Sequence, residues 1–395
     1  MPSPTRLERV RGCLLGLAIG DALGAPLEGL SSQQIRSHYD VVNHYVDGSQ
    51  AWRKKPNRWR LPGLYTDDTQ QALALAEVLL ECGTIDINRL ATLYLDMACP
   101  PGDYLGVHRG IGRSFRKVID ELQAGTSPLE TGQSSAGIGA AMRIAPVAIY
   151  LGDDQEALFR AVLDSSLMTH RDVRSLAGAL AVAHAARRLL DGEERTPSFL
   201  LRLAGDVARD EKRIARDARS SSVVSLRPYG RSLSTALAHA ESLLELPRNQ
   251  ALGSLVEEAN RHGANPLCKR ATMGFPPACI PTCLHVLLTT DTFEEALVEI
   301  VNLGGDADSA GAILGALAGA HYGVDAIPKR WLADLKNYDA LDAWARALAQ
   351  RSKSGLKIPD LVERERELSG AENDCRRELK ARSQNGDDLG ANRYF

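Results

Sequence analysis

Residues 303–323 read Leu-Gly-Gly-Asp-Ala-Asp-Ser-Ala-Gly-Ala-Ile-Leu-Gly-Ala-Leu-Ala-Gly-Ala-His-Tyr-Gly, and this stretch decides the fold. From Ser309 onward it has the composition of a buried helix, yet glycine recurs at every fourth position, at Gly311, Gly315 and Gly319. Each glycine inside a helix costs about 1 kcal/mol relative to alanine. A neighbouring helix that closely approaches the glycine face would compensate for that cost, so we predict a central helix here.

Patterns of helical periodicity dominate the rest of the chain, and strand patterns are nearly absent. Thr5 and Glu8 form a capping-box pattern at the start of an apolar helix that runs toward Asp21. Thr66 is a suitable N-cap for a second strong helix, and Gly83 is its predicted stop. Further Ala- and Leu-rich helices are predicted at residues 153–190, 234–244, 292–301 and 309–323. The predicted fold class is therefore all-α.

Composition divides the chain into two parts. Residues 1–350 carry the apolar helical patterns and are predicted to form one domain, although 395 residues would also suffice for two. Within that part, residues 194–230 are rich in Arg, Asp and Ser, which predicts exposed helix and loop. The chain is dense in charge from Arg351 onward. Residues 351–395 are therefore predicted to be a C-terminal extension, helical at first and frayed afterwards.

The charge balance argues against two classes of partner. The chain has 47 basic and 50 acidic residues and a formal net charge of −3, so no general field attracts nucleic acid or an anionic membrane. The apolar runs at residues 13–19 and 310–320 fall short of the roughly 20 residues that span a bilayer. The N-terminus lacks the apolar core of a signal peptide. We therefore predict neither a nucleic-acid partner nor a membrane partner.

The cysteines favour a reducing compartment. There are seven, an odd number scattered without the spacing of a disulfide framework, and this predicts a cytoplasmic protein. Cys279, Cys283 and His285 are close enough in sequence to suggest zinc. No second Cys/His pair completes four ligands, so core packing is the preferred interpretation.

Two turns each place a pair of carboxylates and a hydroxyl at the start of an apolar helix. The first is Thr66-Asp67-Asp68-Thr69, and the second is Gly304-Gly305-Asp306-Ala307-Asp308-Ser309. Carboxylates this close repel each other and resist burial unless something positive lies between them. Hard cations such as Mg²⁺ prefer carboxylate, hydroxyl and water oxygens as ligands. Each turn alone could be ordinary N-terminal capping of a helix, but the two together favour a binuclear metal site.

Three further features are ambiguous from the residues alone. Glu28 follows a loop punctuated by Gly and Pro and could be an ordinary exposed glutamate. His170 precedes a helix, where a buried capping histidine is commoner than a catalytic one. The loop Gly137-Ile138-Gly139 precedes Ala140-Ala141-Met142 and would let the backbone approach a phosphate. A short glycine loop is a weak signal by itself.

Several of these motifs, taken in order, resemble the ADP-ribosylglycohydrolase family. The resemblance covers roughly residues 6–335, and several motifs in one order are more specific than any single match. The motifs are Gly12-Cys-Leu-Leu-Gly-Leu-Ala-Ile-Gly-Asp-Ala-Leu-Gly24, Tyr65-Thr-Asp-Asp-Thr69, Ala140-Ala-Met-Arg-Ile-Ala-Pro146, Thr169-His170, Leu303-Gly-Gly-Asp-Ala-Asp-Ser309, Gly315-Ala-Leu-Ala-Gly-Ala-His-Tyr-Gly323 and Ile327-Pro-Lys-Arg-Trp331.

The resemblance implies a compact, orthogonal all-α bundle over residues 1–350 that holds two Mg²⁺ or Mn²⁺ ions at the base of an ADP-ribose cleft. The implied metal ligands are Thr66, Asp67, Asp68, Asp306, Asp308 and Ser309. Two positions depart from the family pattern. Ser309 stands where threonine is usual and keeps the hydroxyl, whereas Ile138 stands where asparagine is frequent and removes a possible polar contact to the ligand.

The implied activity is removal of ADP-ribose from modified protein side chains, with ADP-ribosyl-arginine the preferred substrate and ADP-ribose the product. Water would attack the anomeric carbon of the distal ribose, activated by the metals with Asp67 or Asp68. Glu28 would act in acid/base catalysis or gating. The implied substrate-binding residues are Gly137, Ile138, Gly139, Met142 and His170. Alternatives are another linkage (serine, nucleic acid or O-acetyl-ADP-ribose), a non-catalytic ADP-ribose-binding protein, or a phosphohydrolase that cleaves the pyrophosphate.

Overall fold

The computed structural model describes residues 3–98, 106–217 and 232–384. Its helices are α1 (Arg6–Gly24), α2 (Ser32–Tyr39), α3 (Asp67–Cys82), α4 (Ile87–Ala98), α5 (Arg113–Gln123), α6 (Gly139–Met142), α7 (Ala145–Leu151), α8 (Gln155–Leu167), α9 (Val173–Leu190), α10 (Pro197–Ile214), α11 (Leu233–Glu241), α12 (Arg248–Asn260), α13 (Pro276–Thr289), α14 (Phe293–Asn302), α15 (Ala307–Tyr322), α16 (Lys329–Asp334), α17 (Tyr338–Gln350) and α18 (Leu361–Gln384). Within those three ranges, β pairing is limited to isolated bridges. The all-α prediction is confirmed.

Helices α1 and α15 form a central antiparallel pair with backbone against backbone. A Cβ added at Gly315 would lie 2.0 Å from the carbonyl oxygen of Gly16, and one at Gly311 would lie 2.3 Å from that of Gly20. Real Cβ atoms essentially never approach another atom this closely. The predicted central helix with a close neighbour is confirmed, and its glycines are required by contact with that neighbour.

Helix α1 carries a matching row of glycines, which was not predicted from the sequence. Helix α1 presents glycine at the same four-residue spacing, and the contacts pair Gly12 with Gly319 and Gly16 with Gly315. The row is visible in the sequence as Gly12, Gly16, Gly20 and Gly24. Two helices with the same glycine spacing can pack groove against groove, so the pair was predictable as well as the central helix.

The predicted helix ends agree with the local chemistry of the chain. Thr5 and Glu8 form the reciprocal capping box that begins α1. Helix α3 ends at Cys82, and Gly83 caps it with a φ of 73°, which suits glycine. The exposure predicted for residues 194–230 holds for only one face of α10, because Phe199, Leu203 and other apolar residues on its other face are buried. Residues 218–231 of that stretch lie outside the described residues.

The C-terminal extension is helical, as predicted, over α18, whereas its predicted frayed end at residues 385–395 lies outside the described residues. Helix α18 is not a free appendage. Its Glu365, Glu372 and Leu379 are buried, and α18 contacts both α3 and α4. The domain boundary near residue 350 stays a prediction.

Among the residues that the structure describes, one apolar segment, Arg6–Leu27, is long enough to cross a membrane by length and composition, with a mean hydropathy of 1.4 over its most apolar window. The prediction from residues 13–19 alone underestimated this length. Inside the protein, 94% of that window is buried. A buried core helix has the same composition as a membrane span, and the packing of α1 against α15 accounts for its apolar character.

The predicted core role of the cysteine cluster agrees with the structure. The Sγ atoms of Cys279 and Cys283 lie 4.0 Å apart, and both side chains are buried in α13. Within the described ranges, all cysteines are free thiols.

Candidate active site

A cavity of about 760 Å³ opens above the first turns of α3 and α15. Its size falls within the range of small-molecule sites, roughly 300–1,000 Å³. It brings together every predicted site residue except Thr66, whose side chain does not line the cavity and contacts Asp21 instead. The predicted residues that line it are Glu28, Asp67, Asp68, Gly137, Ile138, Gly139, Met142, His170, Asp306, Asp308 and Ser309. The chain separates the two carboxylate turns by more than 200 residues, and the fold makes them neighbours.

Asp21 of α1 holds the first carboxylate turn from behind. Its side chain is fully buried and accepts hydrogen bonds from the hydroxyls of Thr66 (2.7 Å) and Thr69 (2.6 Å). It also accepts hydrogen bonds from the backbone N–H groups of both threonines at 3.0 Å. The Thr66 side chain therefore bonds to Asp21 instead of capping its own helix. With the turn fixed in this way, Asp67 and Asp68 face the cavity.

The second turn is fixed by backbone hydrogen bonds to two loops. Gly29 donates to the carbonyl of Gly305 (2.7 Å), and the N–H of Gly305 donates to the carbonyl of Leu30 (2.9 Å). Gly304 and Gly305 have φ values of 69° and 76°, in the left-handed region that favours glycine. Asp306 donates its N–H to the carbonyl of Thr272 (2.9 Å). The loop that carries Glu28 and the turn that carries Asp306 are thus joined.

The carboxylates at the base of the cavity repel one another. Burial, together with repulsion from Asp21 and Glu28, raises the pKa of Asp67 to about 8. Burial also raises the pKa of Asp306 to about 6, and repulsion from Glu28 adds to it. The pKa values of Asp68 and Asp308 are raised well above the ordinary value, first by burial and then by the neighbouring carboxylates. Such a cluster is stable when positive charge offsets the repulsion.

The donor set fits a divalent cation. Oδ1 of Asp68 is buried and has no hydrogen-bond partner, which is costly for a carboxylate oxygen unless a ligand supplies the missing contact. The hydroxyl of Ser309 and the carboxylates of Asp306 and Asp308 line the same cavity. In the part of the chain that the structure describes, no three Asp, Glu, His or Cys side chains already converge as a metal cluster.

The opposite wall of the cavity is built from His170 and the glycine loop. A Cβ added at Gly139 would lie 2.9 Å from Cε1 of His170, so glycine is needed for this approach. The loop is held by Ser175, whose hydroxyl donates to the carbonyl of Gly137 (2.7 Å). Ile138 is buried, and its N–H donates to the carbonyl of Gly274 (3.1 Å). Burial and the Arg143 guanidinium lower the pKa of His170 to about 3, so its ring is neutral at pH 7.

A buried hydrogen-bond chain joins the two walls. Gln71 donates from Nε2 to Oδ2 of Asp67 (2.8 Å) and accepts from Arg143. Arg143 also donates to the hydroxyl of Thr169 (2.7 Å), which lies 2.8 Å from Nδ1 of His170. Arg143 is only 1% exposed, so its charge is not screened by water. These hydrogen bonds orient the carboxylate of Asp67 and the ring of His170, which lies across the cavity from it.

Glu28 is tethered at the mouth of the cavity. Its carboxylate accepts a hydrogen bond from Nη1 of Arg58 (2.6 Å), and both side chains are about one-third exposed. The guanidinium of Arg58 lies 5.5 Å from the ring centre of Trp52. The indole N–H of Trp52 donates to the carbonyl of Pro26 (2.9 Å). Glu28 is therefore held by a neighbouring loop at the edge of the site.

Cationic side chains line the same cavity. Arg113 and Lys269 are exposed, and Arg270 is half-buried. Arg113 also borders an adjoining cavity of about 1,080 Å³, whose lining includes none of Glu28 and the four aspartates at the base. The site thus offers carboxylates at its base and positive charge toward the adjoining cavity.

Three residues that organise the site were not predicted from the sequence as functional residues: Asp21, Gln71 and Arg143. The one sequence feature that marks Asp21 is a carboxylate in the last turn of an apolar Gly/Ala-rich helix. Gln71 lies one turn after Asp67 on α3, where an i,i+4 contact is expected. No neighbouring residue in the sequence marks Arg143 as functional, because its hydrogen-bond partners come from α3, α8 and the segment before α9.

Comparison with known proteins points to one enzyme family. The sequence profile of the ADP-ribosylglycohydrolase family matches residues 2–357. The chain is 29% identical to ADP-ribosyl-[dinitrogen reductase] glycohydrolase of Rhodospirillum rubrum, over 85% of this chain and 92% of the relative. It is 28% identical to ADP-ribosylhydrolase ARH3 of Bos taurus, over 87% and 92% of the two chains. A solved structure described as an ADP-ribosylglycohydrolase-related protein complex aligns with a TM-score of 0.63 and 29% identity, over 88% of this chain and 99% of that chain.

The fold and site define a hydrolase that acts on ADP-ribosyl groups. The chain belongs to the ADP-ribosylglycohydrolase family.

Proposed function

We propose that this enzyme removes ADP-ribose from modified arginine side chains of proteins by attack of water at the anomeric carbon of the distal ribose. The observation that carries the proposal is the pair of facing carboxylate turns at the base of a cavity that also contains positive charge. ADP-ribose needs both features. Its pyrophosphate is anionic, whereas its ribose hydroxyls and a guanidinium acceptor are suited to carboxylates.

We further propose that the site binds two divalent cations, Mg²⁺ or Mn²⁺. Asp67, Asp68, Asp306, Asp308 and Ser309 would hold them from the cavity. Thr66, predicted as a ligand, would instead support the first turn through its hydrogen bond to Asp21. The unpartnered Oδ1 of Asp68 and the mutual repulsion of the carboxylates support this assignment. When bound, the ions would supply Lewis acidity and a lowered pKa for water.

The chain's own residues would orient and exchange protons around the reaction. Gln71 fixes Oδ2 of Asp67 by a 2.8 Å hydrogen bond, which leaves Oδ1 of Asp67 to face the attacking water. Neutral His170 would pack against the ligand without adding positive charge. The loop Gly137–Gly139 would lie along the pyrophosphate, and Met142 would contact the ligand beside it. Ile138 would offer only apolar contact there.

Glu28 would control the acceptor end of the site, either as an acid/base group or as a gate. For Glu28→Gln we expect kcat to fall by roughly 100-fold, with a much smaller change in KM, because a proton-transfer group acts mainly in the transition state. Steady-state kinetics on ADP-ribosyl-arginine would measure this. Glu294→Gln is the matched control, since Glu294 forms an exposed ion pair with Arg330. A Glu28→Gln variant with the kinetics of the control would remove Glu28 from catalysis.

The linkage is tested by comparing matched substrates. We expect kcat/KM to be at least about tenfold higher for arginine-linked than for serine-linked ADP-ribose. Guanidine leaves as a protonated, resonance-stabilised group, whereas a serine alkoxide depends more on a well-placed general acid. Purified enzyme with Mg²⁺ would be incubated with arginine-, serine- and nucleic-acid-linked ADP-ribose, and the products identified. A preference for serine would overturn the linkage assignment.

The same assay separates the alternative functions. Free ADP-ribose indicates glycosidic hydrolysis, AMP indicates a phosphohydrolase, and binding without turnover indicates a non-catalytic protein. The intact carboxylates of Asp67, Asp68, Asp306 and Asp308 favour the first outcome. A cytoplasmic location, which the free cysteines favour, stays a prediction.

A further inference from the structure

We propose that helix α18 holds the first carboxylate turn in its cation-binding arrangement, with Glu365 as the positioning residue. This inference rests on the proposed binding of divalent cations. Helix α18 begins at Leu361, beyond the region 2–357 that matches the family profile. It therefore adds a support to the site that the family motifs do not contain.

Glu365 is fully buried and accepts three short hydrogen bonds. Oε1 accepts from the hydroxyl of Tyr65 (2.6 Å). Oε2 accepts from Nε2 of Gln70 and from Nη2 of Arg109, both at 2.6 Å. All three donors lie next to the first carboxylate turn in sequence or in space. A buried carboxylate needs such compensation, and here the compensation comes entirely from around the candidate active site.

Arg109 carries the contact to the carboxylate turn itself. Its carbonyl accepts a hydrogen bond from the N–H of Asp67 (2.8 Å). Its Nε donates to the carbonyl of Tyr65 and its N–H to Oε1 of Gln70, both at 3.0 Å. The next residue, Gly110, lies so close that an added Cβ would be 3.0 Å from Oδ1 of Asp67. A shift of Arg109 would therefore move the backbone and the carboxylate of Asp67.

The second half of α18 supports the loop that tethers Glu28. Arg376 donates to the carbonyl of Trp59 (2.8 Å), and Cys375 and Leu379 pack against the Trp59 ring. The Trp59 indole in turn donates to the carbonyl of Trp52 (3.0 Å). This loop also carries Arg58, the partner of Glu28. Helix α18 thus contacts both the segment that holds Asp67 and the loop that holds Glu28.

A general stabilising role would not need this arrangement. Burying a charged pair contributes little net stability compared with apolar packing, so the Glu365–Arg109 pair is better explained by the geometry that it imposes. The two side chains are 0% and 4% exposed. The pair fixes the position of Arg109, whose carbonyl accepts the hydrogen bond from the N–H of Asp67.

The test uses Glu365→Gln in the full-length protein. The amide keeps the shape of the side chain but removes the negative charge that faces Arg109, and its NH₂ group cannot accept the hydrogen bonds that one carboxylate oxygen now accepts. We expect the affinity for MnCl₂, measured by titration calorimetry, to weaken by roughly tenfold or more, with a matching loss of kcat. Glu367→Gln is the matched control. It makes the same chemical change on the same helix, at an exposed side chain paired with Arg364. We expect it to leave both quantities within twofold of wild type.

A milder variant covers the case in which Glu365→Gln does not fold. Ser369→Ala removes the hydroxyl that accepts from Nη1 of Arg109 (2.9 Å) and donates to the carbonyl of Val107 (3.0 Å). We expect it to weaken Mn²⁺ binding about threefold, with an unchanged circular dichroism spectrum. A folded Glu365→Gln variant, or failing that Ser369→Ala, with wild-type Mn²⁺ affinity would reduce α18 to a stabilising helix. If wild type itself binds no Mn²⁺, the proposed cation site fails, and the inference about α18 fails with it.

Discussion

Asp308→Asn is expected to lower kcat by roughly 1,000-fold or more while the helical fold is retained. Asp308 is the second carboxylate of its turn, is only 5% exposed and lines the cavity opposite Asp68. Removing its charge leaves a cation with fewer carboxylates to offset it. The same change relieves repulsion from Glu28, Asp306 and Asp68, so the metal-free variant should be at least as stable as metal-free wild type.

Two measurements check this expectation together. Turnover of ADP-ribosyl-arginine would be followed at several Mg²⁺ concentrations, and thermal unfolding would be recorded with and without Mn²⁺. The stabilisation that Mn²⁺ gives to wild type should be absent from the variant. Asp325→Asn, an exposed position just after α15, is the matched control and should behave like wild type. Near-normal turnover of Asp308→Asn at ordinary Mg²⁺ concentrations would contradict the assignment of Asp308 as a ligand.

Gly315→Ala is expected to destabilise the protein severely, although it adds only one methyl group. The new Cβ would lie 2.0 Å from the carbonyl oxygen of Gly16, and both atoms belong to helix backbones that cannot move aside independently. We expect a loss of at least about 3 kcal/mol in the free energy of unfolding, a large part of the stability of an ordinary domain. Urea unfolding monitored by circular dichroism would measure the loss.

Gly253→Ala is the matched control for this substitution. Gly253 is exposed in the middle of α12, and an added Cβ there meets nothing within 4 Å. The same change should therefore stabilise the protein by about 0.5–1 kcal/mol through helix propensity. If both variants unfolded at the same urea concentration, the close contact between α1 and α15 would not be the reason for the glycine row.

Local chemistry made much of the fold and the base of the site predictable. The capping box at Thr5, the glycine stop at Gly83 and the glycine row of α15 each depend on residues near in sequence. The two carboxylate turns were visible for the same reason. Repulsion between adjacent charges is a local property, so the need for a positive partner could be inferred before the fold was known.

The supports of the site depend on contacts distant in sequence and could not be predicted. Asp21 and Thr69 are 48 residues apart, and Gln71 and Arg143 are 72 apart. Glu365 lies 256 residues from Arg109, within a stretch whose charge density favoured an exposed extension. A buried glutamate and an exposed one look alike in sequence. Only the fold shows that donors surround one of them.

The antiparallel pairing of α1 with α15 also bears on how the chain folds. Its contacts join Gly12 to Gly319, so α1 is synthesised long before its main partner exists. Contacts between residues so far apart raise the contact order and slow folding, because a long loop must close first. Before α15 is synthesised, the apolar α1 has no partner helix to pack against. The nascent chain therefore carries an aggregation-prone segment until α15 is made, and a chaperone that covers residues 6–24 would protect it.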